Sequence, residues 1–201
     1  MGALALLTTT AHADNPLAVI ARCAALESPV ARLACYDAVA EKQGVAGGAL
    51  TDTETPEGAG RWKLIAKTSP IDDSQNVTLL LAADEPIHSS WGTREPQLIA
   101  RCQENKTEVY VAWDVFLGTD RVPVLERFDR EPAHTRKWGT STDHKAAFYP
   151  DSDVALLKKM LQHEKLLLQL TPYGESPVLA SFDLQGLSAV LPTLQAACKW
   201  E

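Results

Sequence analysis

Four cysteines constrain this 201-residue chain more than any other feature: Cys23, Cys35, Cys102 and Cys198. An even set implies paired thiols, and paired thiols imply an oxidising compartment. The start of the chain agrees. Residues 1–13 form an apolar run ending in Ala11-His12-Ala13, with small residues at the two positions a signal peptidase inspects and cleavage expected before Asp14. A basic n-region is missing, so an ordinary apolar helix competes with the secretory signal. No other stretch approaches the ~18 consecutive apolar residues of a membrane span, and no cysteine stands at the cleavage point to carry a lipid. The net charge of −7, without a basic run, argues against nucleic acid or an anionic lipid surface as partner. The expected location is periplasmic.

From residue 14 to 44 the pattern is that of a helical hairpin. Asp14 or Asn15 before Pro16, and Ser28 before Pro29, are two cap-then-proline starts. Leu17, Ile20 and Ala24 recur at helical spacing, as do Val30, Leu33 and Ala34, giving each helix one apolar side to bury. Cys23 and Cys35 suit a bridge across an antiparallel pair that turns near Glu27-Ser28-Pro29. Their spacing is far from Cys-x-x-Cys, which argues for a structural rather than a redox role. Residues 45–60, rich in glycine and threonine and nearly free of large apolar side chains, are expected to form a flexible linker.

From residue 61 to 201 the period changes from helix to strand. Trp62, Leu64 and Ala66 alternate with polar residues, as do Val77, Leu79 and Leu81, and then Val109, Val111, Trp113 and Val115. Leu98–Gln103, Val122–Phe128, Leu166–Leu170 and Val178–Leu184 bring the expectation to about seven strands in a mainly antiparallel sheet. One helix is expected from Asp151, with Val154, Leu157 and Leu161 on its apolar face. A second closes the chain: Leu187, Val190, Leu191, Leu194 and Cys198 recur at one face, and Pro192 is expected to split off its first turn. Cys198 then lies on a buried face, with Cys102 in a strand as the remaining partner; the other two connectivities stay open. The fold class is α+β: an N-terminal disulfide-linked hairpin, then a mainly antiparallel sheet domain packed by a C-terminal helix.

Catalytic motifs are sparse. There is no Gly-x-Ser-x-Gly elbow, no phosphate-binding glycine loop and no His-Glu-x-x-His, and the histidines have no ligand spacing, so neither a metal nor another cofactor is expected. The densest polar segment is Thr68 to Asn76, where Asp72 and Asp73 are candidates for ligand or partner binding. Asp, Ser and Asn beside a proline also build turns for their own sake. Arg127 and Trp138 form a second candidate cluster if both are exposed, and scaffolding if Arg127 is paired and Trp138 buried. Trp62, Trp113 and Trp200 belong by pattern to the core, whereas Trp91 has no periodic apolar neighbours and is a candidate partner contact.

Several pieces recur in a recognisable order: Leu33-Ala34-Cys35-Tyr36-Asp37; Trp62, then Ser69-Pro70-Ile71-Asp72-Asp73-Ser74 and Val77; Thr107-x-Val109-Tyr110-x-Ala112-Trp113; Arg127-Phe128-Asp129; Trp138-x-x-Ser141; and Phe182-Asp183-Leu184-Gln185-Gly186-Leu187 before a Cys198 and Trp200 end. This order resembles the accessory proteins of bacterial type VI secretion clusters known as VasI or TagO. The resemblance implies an exported, non-enzymatic accessory component of a contractile injection apparatus, and it brings no catalytic residues. The expected work is binding of a periplasmic protein of the secretion machinery or of the nearby wall, through the Asp72-Asp73 loop and the Arg127 to Trp138 region. Two rival functions are a cell-wall-active enzyme, for which Asp72, Asp73, Asp129 and Asp143 are the candidate acids and bases, and a neutralising partner of an exported toxin.

Overall fold

The computed structural model describes residues 16–26, 28–42, 55–90 and 92–201. The chain divides into two compact units, residues 1–49 and 50–201. The expected signal segment 1–13 lies outside the described residues, as do Trp91 and residues 45–54 of the expected linker.

In the first unit, α1 (Pro16–Ala24) and α2 (Pro29–Lys42) form the hairpin. Ser28 starts α2 as its pattern predicts: its Oγ accepts from Ala31 N at 3.4 Å and its carbonyl accepts from Arg32 N at 2.9 Å. Cys23 and Cys35 are bonded, with Cα atoms 5.4 Å apart, and Cys23 is fully buried. The expected apolar faces are left partly uncovered at their described positions. Ile20 and Leu33 are exposed, Leu33 by 62%, because two helices of this length offer too little surface to bury both stripes.

The second unit carries eleven strands among its described residues rather than seven: β1 (Lys63–Thr68), β2 (Gln75–Ala82), β3 (Ile87–Ser89), β4 (Gly92–Arg94), β5 (Gln97–Gln103), β6 (Lys106–Ala112), β7 (Val122–Phe128), β8 (His134–Thr140), β9 (Ala146–Phe148), β10 (Lys165–Leu170) and β11 (Val178–Asp183). Nine form one antiparallel sheet in the order β1-β2-β5-β6-β9-β8-β7-β10-β11, and β3 and β4 pair separately. Alternation sets which side is covered: Val77, Leu79 and Leu81 of β2, Val109 and Val111 of β6, and Leu166, Leu168 and Leu170 of β10 are all buried.

The helix α3 (Asp153–Met160) is capped by Ser152, whose Oγ accepts from Ala155 N, and buries Leu156, Leu157 and Met160. It stops one residue before Leu161, which is therefore exposed rather than on the apolar face. The helix α4 (Leu187–Cys198) is one continuous element with Pro192 inside it, so the expected division at the proline does not occur. Its buried residues are Leu187, Val190, Leu191, Leu194 and Cys198, and it packs on β2 and β5. Cys198 is bonded to Cys102, with Cα atoms 5.6 Å apart. Cys102 pairs in register with Val77, so the bridge enters the core beneath the helix.

The two ends of the sheet order also meet. Trp62 Nε1 donates to Leu184 O at 3.3 Å, and Asp84 N donates to Ser181 O at 2.8 Å. Gly186 makes this approach possible. It has φ of +89°, and a Cβ there would stand 2.2 Å from the Ala59 carbonyl. Ala59 is itself buried, so the last residues of segment 45–60 pack with the sheet unit.

Candidate functional site

Three polar centres stand out in the second unit. The first is the β1–β2 turn. Ser69 N donates to Ser74 O at 2.8 Å, Asp73 N donates to Ser69 O at 3.0 Å, and Ser69 Oγ accepts from Ile71 N at 3.3 Å. One oxygen of Asp72 accepts from both Ser74 N (3.2 Å) and Ser74 Oγ (2.8 Å). Hydrogen bonds from the Ser69 and Ser74 side chains hold the Asp72 carboxyl below its ordinary range. Asp73 adopts a φ of +55°, which a short polar residue tolerates. The product is a tightly tied tip that lifts Ile71 to 88% exposure.

The second centre lies between β7, β8 and α3. Along β7, Val122, Val124, Glu126 and Phe128 share the covered side, so alternation carries a carboxylate into the core, where it is 6% exposed. Glu126 pairs in register with His134, Val124 with Arg136 and Val122 with Trp138. Trp138, 1% exposed, donates its indole Nε1–H to Glu126 Oε1 at 2.9 Å. Arg136 Nε lies 3.5 Å from the same oxygen, while its Nη1 pairs with Asp151. Burial pushes the Glu126 carboxyl above its ordinary range, and the indole and the guanidinium offset this only in part. Tyr149 meets Trp138 edge to face at 5.5 Å, and Lys159 of α3 binds Glu131 at 2.8 Å with its Nζ 4.4 Å from the Phe128 ring centre. Glu126, Phe128, Glu131, Arg136, Tyr149 and Lys159 line a cavity of about 160 Å³.

The third centre is an open charged hollow around Asp84 and Asp129. Asp84 accepts from Arg61 Nη1 (2.6 Å), Asp183 N (3.2 Å) and the Ser181 hydroxyl, with Lys165 Nζ at 3.5 Å. Partial burial raises its carboxyl, but the Ser181 hydroxyl and the Lys165 charge lead a set of partners that brings it below the ordinary range. Asp129, with a φ of +44°, accepts from Glu164 N (3.1 Å) and Lys165 N (2.8 Å) and shares a hydrogen bond with His163 Nδ1 at 2.9 Å.

The residues singled out by sequence are thus spread out. Asp72 and Asp73 stand in the β1–β2 turn. Arg127 is exposed on β7 and points away from the side on which Trp138 is buried. Asp143 sits in the β8–β9 turn, bonded to Ser141 Oγ and Lys145 N, and shares no hydrogen-bond partner with Asp72, Asp73 or Asp129. Glu126 was missed by sequence reasoning although its spacing from Val122, Val124 and Phe128 is a usable signal. Asp84 carries no local signal, since its partners lie up to 99 positions away. Among the described residues no cluster of three or more His, Cys, Asp or Glu is arranged to hold a metal, and no helix is long and apolar enough to cross a membrane.

Among solved structures, the chain is similar to the crystal structure of invasion associated protein B from Bartonella henselae, with 14% identity over 72% of this chain and 98% of that chain and a TM-score of 0.49. No curated protein matches it. The family described as Type VI secretion system VasI, EvfG, VC_A0118 matches residues 22–200, a span that takes in both units and all four cysteines. The chain belongs to this VasI family of type VI secretion system proteins.

Proposed function

We propose that the protein is a periplasmic, non-enzymatic accessory component of type VI secretion that acts by binding a protein of the machinery. Both cysteine pairs are closed and no described cysteine is free, which supports an oxidising compartment. The observation that carries a binding role is the β1–β2 tip. Asp72 is tied back to Ser74, and the tip presents a large apolar side chain, Ile71, that makes no use of its exposure within this unit. A pre-tied tip loses little freedom on docking. Arg127, exposed on β7, is a second contact, with Trp138 serving from the covered side by fixing the strand pair beneath it. The helical hairpin, with Ile20 and Leu33 exposed, is a third.

The test is export of a secreted effector by cells carrying the variant Asp72→Ala with Asp73→Ala, or Ile71→Asp. Secretion is expected to fall while the fold is retained: Ile71→Asp leaves the melting temperature near that of the parent because the side chain is exposed, and the Asp72, Asp73 variant loses about 1 kcal/mol because alanine is strained at a φ of +55°. Normal secretion by a folded variant would remove this tip from the binding face.

A further inference from the structure

We propose that the cavity between β7, β8 and α3 binds a small zwitterionic amino-acid group, its ammonium on Glu126 and its carboxylate on Arg136 and Lys159. The inner wall supplies a carboxylate that is nine-tenths buried, and its direct partners are a neutral indole N–H and one guanidinium nitrogen at 3.5 Å. A carboxylate so placed gains from a close cation. The rim supplies the opposite sign. Arg136 and Lys159 are both partly exposed and line the same space. Their present partners, Asp151 and Glu131, are also exposed and exchange readily with a ligand carboxylate.

Both signs line the site. Glu131 and Asp151 pair with Lys159 and Arg136, which leaves the buried Glu126 as the one carboxylate in excess, the place for the ligand ammonium, and His134 stands opposite Glu126 on β8. From β10, the register partner of Glu126 is Leu168, which brings no charge, and Asp153 of α3 is turned to Val109 N at 2.8 Å. Phe128, Tyr149 and Leu156 supply an apolar wall for the carbon side of the ligand. A volume of about 160 Å³ takes one small amino-acid group. Two sources present this chemistry: a free amino acid, and a side-chain aminocarboxylate on a peptide, such as that of a diamino diacid.

The Trp138 indole N–H reports on the site directly, because it donates to Glu126. Its NMR resonance is followed while the full chain is titrated with alanine, with an Nα-acylated diaminopimelate amide, with propylamine and with propionate. A saturable shift is expected with one or both zwitterions, and the one that saturates first names the source. Binding of each single-charge analogue is expected to be at least about tenfold weaker, because one pole of the site stays unmatched. Glu126→Gln keeps an acceptor for the indole and is expected to weaken zwitterion binding at least about tenfold. Lys159→Met, at the surface, gives the same direction with a smaller loss. No saturable shift with either zwitterion, propylamine or propionate binding as tightly, or unchanged binding by folded Glu126→Gln would each overturn the assignment. The inference stands on the cavity alone, so the outcome of the Asp72 and Asp73 secretion test leaves it untouched.

Discussion

The two disulfides do opposite jobs in the two units of this chain. Cys102–Cys198 joins a strand to a helix inside a core that already buries Trp62, Trp113, Phe182 and most of the β2 and α4 apolar residues. Cys23–Cys35 joins two short helices whose Ile20 and Leu33 remain exposed and whose one described fully buried side chain is Cys23 itself. In the sheet unit the bridge adds to a structure that burial already specifies. In the hairpin the bridge is the main thing that specifies it. A larger free-energy contribution therefore goes with a smaller structural consequence.

Replacing Cys102 and Cys198 together by alanine tests the first half. The bridge spans 96 positions, so on the chain-entropy account its loss costs about 4 to 5 kcal/mol. The unit is nonetheless expected to unfold in one cooperative step with native strand content, which denaturant melting and circular dichroism will show. A variant with no cooperative transition would mean that burial alone does not hold the sheet.

Replacing Cys23 and Cys35 together tests the second half. With a sequence separation of 12, the expected cost is about 3 kcal/mol, smaller in energy. Helices of 9 and 14 residues are marginal in isolation, so amide protection across residues 16–42 is expected to vanish while that of the sheet unit is unchanged. Protection retained in α1 and α2 would show that the exposed apolar stripes are covered by something other than the bridge.

The same contrast explains what could be read from sequence. Helical spacing put Cys198 beside Leu191 and Leu194, and an apolar strand held Cys102, so burial pointed to this pairing while two other connectivities stayed open until the structure showed the bond. Strands with apolar alternation, such as β2 and β6, were legible because their covered positions are Val and Leu. β8 was not: His134 to Lys137 are exposed and polar and only Trp138 is buried, so the strand shows no apolar alternation. β3, β4 and β9 have three residues each, too few to show a period. Asp72 and Asp73 were visible as a turn because Asp, Ser and Pro act locally. Glu126 escaped because a glutamate is taken to face water, although its strand neighbours place it inside. Asp84 escaped because Arg61, Ser181 and Asp183 meet it only through the tertiary fold.

The smallest expected effect concerns Glu126, and it turns on how much burial the sheet unit has to spare. Its folded-state carboxyl sits above the ordinary value of 4.5 because burial disfavours the charge. The folded protein then holds a proton that the unfolded chain releases, so this group lowers stability as pH rises from about 4.5 through its folded value, and the loss is constant above that. Asp84 has the reverse sign. Its carboxyl lies below the ordinary 3.8, so its contribution is present above that value and is lost as pH falls through the folded one. Glu126→Gln should therefore match the parent near pH 4 and become the more stable of the two toward pH 7, by about 1 kcal/mol or less. Asp84→Asn should lie closest to the parent in acid and fall behind it at neutral pH. Melting curves between pH 3 and 8 separate the two. If Glu126→Gln instead loses ground as pH rises, the Arg136 pairing outweighs burial, and the sheet unit depends on this charge rather than tolerating it.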